Sequence, residues 1–230
     1  MSIATPGAPH RRYRRCARAV LIVAIGLGWL PAGRAEEPAW LRQYKHALYL
    51  LWSQVYPRGG ETLYCGAHFG PEKGAGIDAE HVFPMAWVTR SLGCVARSRC
   101  RETSPHFNRI ETDLYDIFPA LSRINKARGA RRYGMISGER REYGRCDFEV
   151  DAHQVEPRPQ VRGDIARAMF YMSARYALKI YPGQGALLKR WNAEDPPDAG
   201  ERQRNRRIAR VQGNRNPFVD DPALADHLHF

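Results

Sequence analysis

Four cysteines constrain this chain more than any other feature. Of five in the sequence, Cys16 lies in a leader segment, and Cys65, Cys94, Cys100 and Cys146 remain in the rest of the chain. An even number in an exported chain reads as disulfides, and four cysteines permit three pairings. The short interval favours Cys94 with Cys100 as a local loop, leaving Cys65 with Cys146 as a long-range staple. None of the intervals has the close spacing of a zinc pair, so zinc is the poorer reading.

Export is read from the N-terminus. Arg11, Arg12, Arg14, Arg15 and Arg18 precede an apolar run from Ala19 to Leu30, then Pro31 and Gly33-Arg34-Ala35, with small residues at the positions a signal peptidase reads. The run, about 12 residues rising about 1.5 Å each, reaches only about 18 Å into a hydrocarbon core roughly 30 Å thick, which disfavours an anchor. The expectation is a signal peptide over residues 1–35 and a mature domain over 36–230. The mature protein is then periplasmic or secreted, without stable membrane association. Because the leader carries six arginines and no acid, the formal net charge of +12 falls to about +6 in the remainder. With 43% hydrophobic and 26% charged residues, the chain is neither collagenous, disordered nor multi-spanning, and the remainder suits one domain.

Trp40, Leu41, Tyr44, Ala47, Leu48, Leu51, Trp52 and Val55 recur at three- and four-residue spacings, which predicts an amphipathic helix over Trp40 to Tyr56. Asp78 to Phe83 reads as a short strand stopped by Pro84, and Arg90 to Pro105 as a basic loop. Ile110 to Phe118 reads as a second strand ending at Pro119, followed by a helix to Arg128 closed by Gly129. Arg145 to Asp151 alternates as a strand, and Val155 to Val161, with two prolines, reads as loop. Helices follow over Gly163 to Leu178, Gly185 to Asn192 and Ala199 to Gln212, the last N-capped by Asp198. The fold class is α+β: a mainly helical single domain with a small antiparallel sheet.

Glu80-His81 closes the first strand. A carboxylate is a hard oxygen ligand for Mg²⁺, Mn²⁺ or Ca²⁺, and an imidazole can take a proton from water near neutral pH. Neighbours in a strand face opposite ways, so both serve one site only if the strand breaks there. Asn125, on the helix after the second strand, offers a neutral oxygen ligand. Arg97, Arg99 and Arg101, on the loop between, can pair a phosphate oxygen. One carboxylate, one carboxamide, one histidine and one arginine suit phosphodiester hydrolysis, because a metal held by two protein ligands keeps positions for water and phosphate. The peptidase motif HExxH, the G-x-S-x-G elbow and the P-loop pattern do not occur.

Glu80-His81-Val82-Phe83-Pro84, Arg109-Ile110-Glu111-Thr112-Asp113-Leu114, Pro119-Ala120 with Asn125 and Arg128-Gly129, and Tyr143-Gly144-Arg145-Cys146 resemble the bacterial endonuclease I family of exported nonspecific nucleases. The likeness continues through Arg162-Gly163-Asp164-Ile165-Ala166-Arg167 and from Arg207 to Val219. It implies a ββα-metal nuclease core with two disulfides, Glu80 and Asn125 as Mg²⁺ ligands, His81 as general base and Arg97 as the phosphate contact, with Arg99 its rival. Glu111 matches an acidic position near the base and is expected to orient His81. The substrates implied are DNA and RNA, cut to 5′-phosphate and 3′-hydroxyl ends, by an expected monomer. This chain departs from the family at Tyr115-Asp116, where relatives commonly carry His-Asn. The loop between Cys65 and Glu80 is shorter than usual, and cysteines that relatives carry there and near the C-terminus are absent, going in pairs. Tyr115-Asp116 motivates one alternative, an exported nucleic-acid-binding protein with a decayed site; a disulfide-stapled structural protein of the envelope is a further alternative.

Overall fold

Glycine and proline punctuate the chain so that a short strand is isolated around Glu80. The computed structural model describes residues 1–2, 38–138 and 140–230; the expected signal peptide, apart from its first two residues, lies outside the described residues. The described elements belong to the unit Glu37–Phe230. Helix α1 (Ala39–Leu50) continues into a π turn over Leu51–Val55, as the periodicity predicts. Two short strands, β1 (Gly60–Glu61) and β2 (His68–Phe69), form a hairpin.

Strands β3 (Ile77–His81) and β4 (Ile117–Leu121) pair antiparallel, with Glu80 opposite Phe118 and His81 opposite Ile117. Helix α5 (Ser122–Arg128) leaves β4 directly and completes a ββα unit. The strand expected over Ile110 to Phe118 is thus displaced. Ser104 accepts the N–H of Phe107 at 3.1 Å and Pro105 occupies the first turn, so Pro105–Glu111 is a capped helix. Pro119 does not end the strand, because in a two-stranded sheet it sits where no donor is needed; its carbonyl instead accepts Leu63 N–H at 2.8 Å.

Between the two strands lie α2 (Met85–Ser91), α3 (Arg97–Thr103) and α4 (Pro105–Glu111). The stretch Arg90 to Pro105 is therefore helical in part rather than a loop, and the Cys94–Cys100 disulfide closes the turn into α3. Strands β5 (Arg132–Tyr133), β6 (Phe148–Val150) and β7 (Gln154–Pro157) form a three-stranded sheet, β5 parallel and β6 antiparallel to β7. The expected loop over Val155 to Val161 thus supplies a strand and a 3₁₀ turn, Pro159–Val161. Its prolines sit at the strand's end and the turn's first position, where no backbone donor is required. Cys65–Cys146, whose partners are 81 positions apart, ties the segment before β3 to the start of β6.

Helices α6 (Arg162–Tyr176), α7 (Pro182–Glu194) and α8 (Ala199–Gln212), followed by α9 (Pro217–Asp220), complete the α+β fold. Asp198 caps α8 by accepting Glu201 N–H at 2.7 Å, and Gly213, at φ 83°, closes it in the left-handed region. The buried Arg167 joins three helices, pairing with Glu201 at 2.6 Å and donating to Asn192 and the Asp195 carbonyl.

Candidate active site

The ββα unit brings Glu80, His81 and Asn125 to one cleft of about 500 Å³, and the N-terminus of α3 adds Arg97 to its wall. Glu80 and His81 serve the same cleft because the strand stops between them and α2. Pairing ends at His81, Val82 N–H turns to the Asp116 carbonyl at 2.9 Å, and Pro84 starts the next helix.

His81 is 7% exposed. Its Nε2 lies 2.9 Å from the main-chain carbonyl of Glu111. A carbonyl only accepts, so Nε2 carries the proton and Nδ1 holds the lone pair. The Tyr44 ring lies nearly parallel to the imidazole, centroids 6.4 Å apart. Burial, and after it the positive charge of Arg97, pushes the His81 pKa down to about 4, which keeps the ring neutral at ordinary pH.

Glu111 therefore orients His81 through its backbone and not through its carboxylate. The carboxylate, 1% exposed, instead holds Arg97 Nε at 2.6 Å and Arg101 Nε at 2.8 Å. Arg101 also lies 4.9 Å from the Tyr44 ring centroid. Among the described residues Arg97 Nη2 is buried and has no hydrogen-bond partner, an unmet donor that an anionic oxygen would satisfy. Arg99 pairs with Glu102 and its side chain is 65% exposed; it does not line the cleft.

Glu80 accepts the Tyr64 hydroxyl at 2.9 Å on Oε1, and the same oxygen lies 3.4 Å from Arg128 Nε. Tyr64 and Tyr133 hydroxyls meet at 2.9 Å, and Arg128 stacks over the Tyr133 ring at 4.9 Å while donating to the Val82 carbonyl. Burial raises the Glu80 pKa, opposed first by Arg128 and then by the Tyr64 hydroxyl. Sequence reasoning assigns no role to Tyr64, Tyr133 or Arg128. Arg128 has one local signal, its position one turn beyond Asn125 on the same helix; the two tyrosines have none.

Glu80 and Asn125 present one carboxylate and one carboxamide. Among the described residues no group of three His, Cys, Asp or Glu could hold a metal ion. Two hard oxygen donors beside an unmet guanidinium donor fit a divalent ion that keeps water and shares phosphate oxygens, and do not fit a closed zinc site.

Tyr115 and Asp116, the departure from the family pattern, do not line the cleft. The Tyr115 hydroxyl donates to the carbonyls of Asn214 and Asn205, at 2.8 and 3.2 Å. Asp116 Oδ1 accepts Phe83 N–H at 2.6 Å, and its Oδ2 is buried with no partner among the described residues.

A strand, strand, helix unit with a buried Glu-His pair and a flanking arginine is an arrangement suited to phosphodiester hydrolysis. The family model described as Endonuclease I matches residues 41–223, and the chain belongs to that family. A periplasmic deoxyribonuclease of Aeromonas hydrophila is 33% identical, over 86% of this chain and 94% of its own. An extracellular deoxyribonuclease of the same organism is 39% identical over 65% of this chain and 67% of its own. An extracellular ribonuclease of Bacillus subtilis is 35% identical over 51% of this chain and 46% of its own. The chain is an exported endonuclease, periplasmic or secreted.

Proposed function

We propose that this enzyme hydrolyses phosphodiester bonds of DNA and RNA without sequence preference, using Mg²⁺, with Mn²⁺ or Ca²⁺ as alternatives, and acts as a monomer. The observation that carries this reading is the convergence of Glu80, His81, Arg97 and Asn125 on one cleft. Relatives named as deoxyribonucleases and as a ribonuclease support both substrates.

Glu80 and Asn125 would hold the ion, which when bound would neutralise charge on the phosphate and on the leaving 3′-oxygen. Arg97, clamped by Glu111, offers its unmet Nη2 to a non-bridging oxygen. His81 Nδ1 takes the proton of the attacking water, since Nε2 is committed to the Glu111 carbonyl. The neutral ring needs no deprotonation before it accepts the proton. Departure of the 3′-oxygen, which takes a proton from solvent water, leaves 5′-phosphate and 3′-hydroxyl ends.

The test is plasmid cleavage by the oxidised mature protein, with Mg²⁺ and with EDTA, beside His81→Ala and Glu80→Ala. Loss of cleavage in EDTA and a fall of about 10²- to 10⁴-fold in His81→Ala are expected. Full activity in EDTA, or in His81→Ala, would overturn the reading.

A further inference from the structure

Beyond Asn125 lies a second hollow of about 280 Å³, lined by Tyr44, Leu48, Trp52, Lys73, Asp78, Ala79 and Asn125. Ala79 and Asn125 also line the catalytic cleft, so the two hollows adjoin there. Tyr44, Leu48 and Trp52, spaced four apart along α1 and its π turn, make one apolar wall. Trp52 is half-buried and held edge-on by Phe69 at 6.1 Å. Lys73, exposed on the segment between β2 and β3, has its ammonium 5.8 Å from the Trp52 ring centroid. Asp78, on β3, is half-buried.

We infer that this hollow is a subsite for one unpaired nucleotide adjoining the scissile phosphate, an inference that rests on the nuclease reading above. A nucleotide has a flat π face, a hydrogen-bonding edge and an anionic group on its outer side; the hollow offers an aromatic wall, a carboxylate acceptor within and a cation at its exposed side. The order matters. Asp78 repels a phosphate from the interior but accepts hydrogen bonds from a base edge, whereas Lys73, nearer solvent, meets the backbone. The Lys73 ammonium lies over the Trp52 ring, so a base stacks there once this exposed side chain swings out to the backbone phosphate; such stacking tolerates any sequence, because every base has a π face. A base stacked on this wall has left its own stack, so a duplex must open locally to fill the hollow.

The experiment titrates the His81→Ala protein with a fluorescent single-stranded oligodeoxynucleotide and with the same sequence as duplex, reading anisotropy at several salt concentrations. In this background Trp52→Leu raises the single-strand Kd roughly 5- to 100-fold and Trp52→Phe restores most of it. Lys73→Gln, at an exposed position, raises the Kd and lowers the slope of log K against log salt by about 0.7. Lys179→Gln, the same loss of charge at a residue that lines neither hollow, changes nothing. The duplex is affected less than the single strand. Wild-type single-strand Kd and salt slope in Lys73→Gln, or failure of Trp52→Phe to restore what Trp52→Leu loses, would overturn the subsite. Absence of any cleavage by the wild-type protein would instead overturn the nuclease reading, so the two failures are distinguishable.

Discussion

His81 donates its Nε2–H to the main-chain carbonyl of Glu111, 2.9 Å away, while the Glu111 carboxylate grips Arg97 and Arg101. One residue therefore serves the base through its backbone and the phosphate-binding arginine through its side chain. Glu111→Gln keeps the first contact and weakens the second. It is expected to lower kcat/KM about 10- to 100-fold, mostly through KM, and to move the acidic limb of the pH–rate profile to lower pH, because burial lowers the His81 pKa and the Glu111 charge helps to raise it. A profile moved to higher pH would contradict this.

Tyr64→Phe removes the hydroxyl that Glu80 Oε1 accepts and leaves the ring in place. Partners of this kind tune a ligand's affinity for its ion, typically by about 10- to 100-fold. The Mg²⁺ concentration for half-maximal cleavage is expected to rise by roughly tenfold, with the rate at saturating Mg²⁺ much less affected. A Mg²⁺ titration of initial rates checks this.

Asp116 is buried, and burial raises its pKa well above the usual carboxylate range, opposed by the Phe83 N–H it accepts. The folded state thus binds the proton more tightly than the unfolded one. Stability is greatest below the unfolded pKa near 4 and falls as pH rises above it. Asp116→Asn removes this titration while keeping an acceptor for Phe83. It is expected to raise Tm at pH 7, with the advantage shrinking as pH approaches 4; thermal melts across that range decide.

The two disulfides are expected to separate stability from activity. Cys65–Cys146 spans 81 positions and Cys94–Cys100 only 6. In the chain-entropy account these closures stabilise by about 4–5 and about 2–2.5 kcal/mol. Replacing both cysteines of the long bridge by Ala should therefore lower Tm more. Replacing the short pair should cost more activity per degree of Tm, because that loop sets the start of α3, where Arg97 sits. The reverse order in melts and in cleavage assays would contradict this.

Much of the fold is legible in local pattern. The helices around Trp40 to Tyr56, Gly163 to Leu178 and Ala199 to Gln212 follow from periodicity and caps, signals carried by residues within a few positions of each other. Both disulfide pairings follow from spacing, and the residues chosen for their chemistry, Glu80, His81, Arg97 and Asn125, do share a cleft. The strand at Ile117–Leu121 escapes a local reading because Pro119 looks like a stop, while its tolerance depends on a partner strand some 40 residues back. Only the tertiary structure decided which part of Glu111 faces His81, that Arg97 and not Arg99 enters the cleft, and that Tyr64, Tyr133 and Arg128 hold Glu80. The Tyr64 hydroxyl meets groups 16 and 69 positions away. Local pattern determines which residue types and helices are present; the direction in which a buried donor or acceptor points is set by distant neighbours that satisfy it.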